Sequence, residues 1–132
     1  MFVLLLIVSV VLGLVWFFLG SSWMRVRYVD IAGTHRLDTS EVYAIARGQI
    51  GIPLLLAGTD ELATSIRKYP VVRSVEVERS WPSTLRIEID ERIPVAALPY
   101  GRNLRLVDEE GVVVGQQKQA PDGVPVLRVN LD

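Results

Sequence analysis

The chain has 132 residues, half of them hydrophobic, with 14 basic and 15 acidic residues and no cysteine. This balanced charge provides no basic stripe for a nucleic acid. The lack of cysteine excludes a disulfide framework, a cysteine-based zinc site and a thiol nucleophile. All charged residues lie at or after Arg25, so the chain divides into an apolar N-terminal segment and a polar remainder.

Residues 1–24 are uncharged and mostly apolar, which predicts a transmembrane helix. At 1.5 Å per residue, a helix of this length can cross a hydrocarbon core of about 30 Å. Trp23, Arg25 and Arg27 follow or close this segment, and we expect them at the membrane interface. A secretory signal peptide is the alternative, since small residues occupy positions 20–22. The segment lacks a basic start, however, and is longer than a usual signal core.

The polar remainder begins with a strand, two helices and a connector. Alternation predicts a strand over residues 26–32 that ends at Gly33. Asp38 is placed to cap the first helix and Thr59 the second, whose last turn would contain Arg67 and Lys68. Between the helices, the apolar residues 50–56 contain glycine and proline, so we expect a buried connector rather than a regular helix.

Two strands follow the second helix. Residues 71–79 and 84–91 both alternate, and the short loop between them predicts a hairpin. Leu85, Ile87 and Ile89 should face inward. The order strand, helix, helix, strand, strand predicts an α+β domain over residues 25–92, with the helices covering one sheet face.

From residue 93 onward the pattern becomes all-β. We predict strands over residues 95–98, 104–107, 112–114 and 126–129, with turns at 101–103 and 108–111. About forty residues are too few to bury a dependable core alone. We therefore interpret residues 93–132 as the N-terminal part of a second, truncated β domain, and we expect a preceding cytoplasmic tail to be missing as well.

Particular blocks of residues carry a family resemblance. The polar remainder resembles a POTRA (polypeptide-transport-associated) domain, and its details resemble those of the FtsQ/DivIB family. The blocks that carry the resemblance are Val29-Asp30-Ile31-Ala32-Gly33, Tyr69-Pro70-Val71-Val72, Trp81-Pro82-Ser83-Thr84-Leu85, Glu91-Arg92-Ile93-Pro94-Val95-Ala96 and Leu106-Val107-Asp108.

The resemblance implies a bitopic scaffold of the bacterial divisome at the septum of the cell membrane. It implies a cytoplasmic N-terminus, one membrane helix and extracytoplasmic domains, although Arg25 and Arg27 alone would favour the opposite orientation. The implied partners are the membrane and division proteins of the FtsB/DivIC and FtsL type, with the main FtsB site beyond Asp132. No enzymatic activity, cofactor or small-molecule substrate is implied.

Two other functions stay open from the residues alone. The chain could be a POTRA-type module of a protein-transport or envelope-assembly system, which should show tandem repeats and a membrane barrel. It could also be the anchor of an envelope enzyme, which would need an acid–base pair or nucleophile. His35 is the only histidine and has no such partners nearby in sequence, so we interpret it as a turn residue.

The candidate binding residues lie on the strand over 72–79. In a POTRA-like order the last strand is central, which leaves this strand at an edge where a partner strand could be added. The candidates there are Val72, Ser74, Glu76 and Glu78. Trp81, in the turn that follows, could be a partner anchor or could pack locally over the sheet.

Three further groups of charged residues could be either binding sites or ordinary solvent-exposed charges. The sheet face away from the helices should carry five carboxylates and one guanidinium, a net charge of −4, which is either a solvated face or a site for a basic partner. The run at 108–110 lacks the spacing of a calcium loop. Glu91 and Arg92 could form an interdomain hinge, but we expect simple solvated charges. The charges of the sheet face are Asp30, Glu76, Glu78, Glu88, Asp90 and Arg86.

Overall fold

The computed structural model describes residues 1–128 and begins with one long helix. Helix α1 spans Phe2–Gly20, and none of its side chains is buried against the rest of the chain. Its mean hydropathy reaches 3.0, and it is long and apolar enough to cross a membrane. A short 3-10 turn over Ser22–Met24 follows it.

The next five elements confirm the predicted α+β order. They are β1 (Tyr28–Ala32), α2 (Thr39–Ala46), α3 (Thr59–Ile66), β2 (Val72–Ser80) and β3 (Thr84–Glu91). The sheet has the order β1-β3-β2, so the last strand is central. Strand β3 pairs parallel to β1 and antiparallel to β2.

The core of this domain lies between the sheet and the two helices. The predicted inward residues of β3 are buried, and Val42, Leu62 and Ile66 on the helices meet them. The apolar residues that alternate along the strands and those that recur every 3.6 residues along the helices thus pack into one core layer, as the sequence predicted. The inward residues of β3 are Leu85, Ile87 and Ile89.

The helix ends agree only in part with the predictions. Asp38 caps α2 as expected, since its side chain accepts a hydrogen bond of 2.8 Å from the Ser40 amide. Thr59 does not cap α3, because the helix already includes it and Gly58 occupies the N-cap position. The prediction for Arg67 and Lys68 is also wrong, since α3 ends at Ile66, before both.

The strand start and the connector also differ from the predictions. Strand β1 begins two residues later than predicted, because the Val26 amide and carbonyl bond to the connector rather than to the sheet. A 3-10 turn at Arg47–Gln49 precedes the connector, and the connector contains another at Leu54–Leu56. Leu54 is fully buried, but Leu55 and Leu56 are 58% and 63% exposed, so the expectation of a buried connector is wrong for this pair.

A second antiparallel sheet follows, with the order β4-β5-β6. Its strands are β4 (Ala96–Tyr100), β5 (Asn103–Val107) and β6 (Val113–Gln117). The predicted turn at 108–111 falls between β5 and β6, and that at 101–103 falls between β4 and β5 except for Asn103, which already belongs to β5. The predicted strand over 126–129 lies partly outside the described residues; Val126 forms an isolated bridge to Ala97.

Candidate partner-binding surfaces

Strand β2 is an edge of the first sheet. It pairs with β3 from Val72 opposite Glu91 to Ser80 opposite Thr84, with an irregularity between Val72 and Ser74. Within residues 1–128 no strand pairs with its other side. Main-chain groups on such a side can accept an added strand.

The predicted binding residues on β2 differ in their exposure. Ser74, Glu76 and Glu78 are exposed, as a docking surface requires. The side chain of Val72 is only 6% exposed and belongs to the core. Val72 therefore does not offer its side chain to a partner, and its amide already donates a hydrogen bond of 3.0 Å to the Tyr69 carbonyl.

The outer face of the first sheet is strongly acidic. All six charged side chains predicted there are exposed, which gives this acidic face a net charge of −4. Arg86 pairs with Asp30 at 3.7 Å. Glu76 lies directly opposite Glu88, and like charges at such positions destabilise a sheet. Glu78 lies opposite Arg86, so the Glu76–Glu88 pair is the unfavourable one among these cross-strand pairs.

The residues that follow α1 connect it directly to the domain. Trp23 is 63% exposed. Arg25 donates a hydrogen bond of 2.7 Å to the Gly51 carbonyl, and Arg27 donates one of 3.1 Å to the carbonyl of Ser22. The predicted interface residues thus lie in one ordered segment at the end of the apolar helix.

Trp81 lies at the same end of the molecule, in the turn between β2 and β3. Its ring is 54% exposed rather than covered by the domain. With Pro53 and Leu55 it forms one wall of an apolar groove, and α1 and Met24 form the other. The sequence marked Trp81 as a candidate, but the groove depends on a contact between segments far apart in the chain.

Glu91 is a structural anchor that sequence reasoning missed. Its carboxylate accepts hydrogen bonds of 2.8–3.0 Å from the amides of His35, Arg36 and Leu37. Partial burial acts to raise the pKa of Glu91, but these three bonds outweigh burial and lower the pKa below its ordinary value. The expected solvated charge therefore fixes the loop between β1 and α2.

Arg92 joins the two sheets, so the expectation that Arg92 and Glu91 are solvated is wrong. The Arg92 guanidinium bonds to the Asp108 carboxylate and, at 2.7 Å, to Glu110. Arg73 bonds to Glu109 and Glu110 in the same turn. Hydrogen bonds from Arg92 and Arg73 lower the pKa of Glu110. These contacts form an ionic bridge between the end of the first sheet and the β5–β6 turn.

Asp108 is the most enclosed charge of this bridge. Its side chain is 3% exposed. Burial acts to raise the pKa of Asp108, but hydrogen bonds from Arg92 and from the amides of Val112 and Glu110 lower the pKa overall. Among residues 1–128, no group of three or more His, Asp or Glu side chains is placed to hold a metal ion.

Comparisons with known proteins agree with this fold. A sequence model described as the POTRA domain, FtsQ-type, matches residues 24–92, just over half of the chain. Proteins named cell division protein FtsQ are similar to most of it. The relative from Streptomyces bingchenggensis is 38% identical over 121 residues, 91% of this chain and 46% of the relative.

Two more relatives carry the same name. The one from Streptomyces coelicolor is 37% identical over 131 residues, 96% of this chain and 50% of the relative. The one from Zymomonas mobilis is 33% identical over 97 residues, 74% of this chain and 31% of the relative. The chain thus spans about half the length of the Streptomyces relatives. With its β-α-α-β-β domain matched from end to end, the chain belongs to the FtsQ-type POTRA family.

Proposed function

We propose that this chain is the membrane-anchored part of a bacterial cell-division protein that works by binding partners. The family membership and the relatives named cell division protein FtsQ support the division role. The length and composition of α1 support a single-pass anchor in the cell membrane. By family resemblance, the N-terminus is cytoplasmic and the two sheets lie outside the cytoplasm, at the septum.

The proposed role is non-enzymatic. Glu91, Arg92 and Asp108 are each bonded to other protein groups. Such bonds hold a fold in place rather than present an acid or a base to a substrate. This use of the charges supports a scaffold over an anchored enzyme.

The observation that carries the proposal is the edge position of β2. An exposed edge can bind an extended segment through main-chain hydrogen bonds, while side chains select the partner. Glu76 and Glu78 lie on this strand and belong to the acidic face, so they would favour a segment rich in Lys or Arg. We propose that the partner is a division protein of the FtsB/DivIC or FtsL type, with further contacts beyond Asp132.

Site-specific photocrosslinking in living cells tests the edge directly. A photoreactive residue replaces Glu76 on β2 in one strain and Asp60, an exposed residue of α3 on the helix side, in another. Both substitutions spare the core, so the two proteins should fold alike. We expect position 76 to crosslink to a membrane protein of the division apparatus and position 60 to give no such product. Equal products at both positions, or products at 60 alone, would contradict docking at β2.

A charge-reversal pair tests the selection of a basic partner. Changing Glu76→Lys and Glu78→Lys moves the charge of the acidic face from −4 to about zero, so we expect less crosslinking from a probe at Ser74. The matched control changes Asp60→Lys and Glu61→Lys on α3, the same number of charges on the other side of the sheet. Undiminished crosslinking in the β2 variant would reject the acidic face as the selecting element.

A further inference from the structure

The segment between α1 and the domain is very short. Helix α1 ends at Gly20, and Val26 is already fully buried in the domain core. Five residues separate them, so the six Cα–Cα steps from Gly20 to Val26 reach at most about 22 Å when fully extended. Part of the segment is a 3-10 turn, so the real span is shorter. The domain is therefore held close to the end of α1.

Hydrogen bonds fix which side of the domain faces α1. The Val26 amide donates to the Ile52 carbonyl, and the Gly51 amide donates to the Val26 carbonyl, both at 2.9 Å. The Arg27 and Tyr28 amides both donate to the carbonyl of Ser83, at 2.8 and 3.2 Å. The connector and the β2–β3 turn are thus both bonded to the short segment that leaves α1.

These two loops present large apolar side chains to the outside. Leu55, Leu56 and Trp81 are each more than half exposed. Their exposure does not reflect a loose loop. Arg79 donates hydrogen bonds of 3.0 and 2.8 Å to the carbonyls at either end of the short turn that carries the two leucines, and Leu54 is buried beneath them. These bonds hold the turn with the two leucines in a defined place. We call Leu55, Leu56 and Trp81 together the apolar platform.

Leu55 and Trp81 of the apolar platform lie with Pro53 on one side of an open groove of about 470 Å³, and α1 with Met24 lies on the other side. The helix residues that line it follow one face of α1, at the 3.6-residue period. From the first to the last of them the groove wall runs about 12 Å along the helix. The residues on that face are Val11, Leu14, Val15, Phe18 and Leu19.

We infer that the apolar platform inserts into the outer surface of the bilayer that α1 crosses, with lipid acyl chains filling the groove. The inference rests on the proposed anchor role of α1. A 19-residue helix is about 28 Å long, which matches the hydrocarbon core. Its end at Gly20 then lies at the membrane surface, and the short segment brings the platform there. Trp and Leu side chains are favourable at this depth, where an indole N–H can still reach water.

Insertion would fix the orientation of the domain as well as its position. The first sheet begins near Ser83, at the membrane end, and Glu91 lies at the far end of β3. At about 3.4 Å per residue, Glu88 lies roughly 14 Å from the membrane end of its strand. The edge of β2 would therefore be presented at a set height and direction to partners anchored in the same membrane.

Fluorescence quenching by brominated lipids tests this inference. The chain is reconstituted in phosphatidylcholine–phosphatidylglycerol vesicles with bromine on the acyl chains near the headgroup. Trp16→Phe with Trp23→Phe leaves Trp81 as the only tryptophan. We expect strong quenching and blue-shifted emission of Trp81, because its ring lies among the lipids. Unquenched, water-like emission would overturn the inference.

One further variant distinguishes a wrong platform inference from a wrong membrane anchor. Trp23→Phe with Trp81→Phe leaves Trp16, inside α1, as the only reporter. If Trp16 is quenched and Trp81 is not, the platform inference is wrong while the anchor stands. If Trp16 is not quenched either, the platform inference and the proposed membrane anchor are both wrong.

A loop variant tests whether the leucines hold Trp81 in the lipid. Changing Leu55→Ser and Leu56→Ser should reduce the quenching of Trp81. Ile93→Ser should leave it unchanged, since Ile93 is 76% exposed but lies beyond the far end of β3. Equal quenching in the leucine and Ile93 variants would show that the platform does not act as one surface.

Discussion

Gly33 shows how one backbone position limits the sequence. Its φ is +84°, and an added Cβ would lie 1.9 Å from the carbonyl oxygen of Ile89 in the central strand. Gly51 has a similar φ of +87° but no atom within 4 Å of an added Cβ. The two glycines therefore share the conformational constraint, and only Gly33 has the steric one.

We predict that Gly33→Ala destabilises the protein much more than Gly51→Ala. The left-handed conformation alone should cost Gly51→Ala about 1–3 kcal/mol. Gly33→Ala adds a backbone clash that β3 must move to relieve. Chemical denaturation of both variants measures the difference in free energy of unfolding. Equal losses of unfolding free energy in the two variants would mean that Gly33 does not lie in close contact with β3.

Glu91 gives a prediction that depends on pH. Because its three amide bonds lower its pKa below the ordinary 4.5, the carboxylate stabilises the fold above about pH 4.5. This contribution is lost as the pH falls through the lower pKa of the folded state. Glu91→Gln should therefore destabilise the protein at neutral pH, and its deficit relative to the native chain should shrink in acid.

The measurement is the difference in unfolding free energy between the native chain and Glu91→Gln across this pH range. Asp108 and Glu110 titrate in both proteins, so their contributions cancel. Glu88→Gln, on the exposed face of the same strand, is the control and should show no deficit. A deficit that stays the same at low pH would show that the stabilisation by the three amide hydrogen bonds does not depend on the charge of the Glu91 carboxylate.

The role of Glu91 could not be predicted from the sequence. Its three partners lie 54–56 positions away, so no local spacing marks them. The same holds for Arg92 and Asp108, which are 16 positions apart and lie in segments whose pairing no local spacing marks. Local patterns reveal caps such as Asp38, whose acceptor and donor are two residues apart.

At the scale of elements, the core depends on the helices meeting the central strand. Leu62 on α3 is 3% exposed and Ile87 on β3 is fully buried. We predict that truncating either to Ala costs about 2–5 kcal/mol of unfolding free energy. Thr64→Ala, on the exposed side of α3, should change it by less than about 0.5 kcal/mol. Unchanged melting temperatures for both core variants would mean that the packing of α3 on the sheet is wrong.

The elements themselves were largely predictable, and the reason is physical. A half-buried strand or helix repeats its apolar residues at the period of its own geometry, so alternation located β2 and β3 and their inward faces. The connector was mispredicted because composition does not say which way an apolar side chain points. Leu54 faces the core while Leu55 and Leu56, its neighbours in the same turn, face outward.

At the scale of the whole molecule, successive parts are linked in a line. The short segment with Arg25 holds the first sheet close to α1, and Arg92 with Asp108 holds the second sheet to the far end of the first. The edge of β2 lies between these two links. With α1 as the proposed membrane anchor, the edge of β2 would be held in a set orientation, as the proposed scaffold role requires.

The position of this protein in dividing cells tests most directly whether it acts in cell division. A fluorescent protein fused ahead of Met1 reports the position without touching either sheet. We predict fluorescence concentrated in a band at the division site while the septum forms. A signal spread evenly around the membrane of dividing cells, with no enrichment at septa, would contradict a role in cell division.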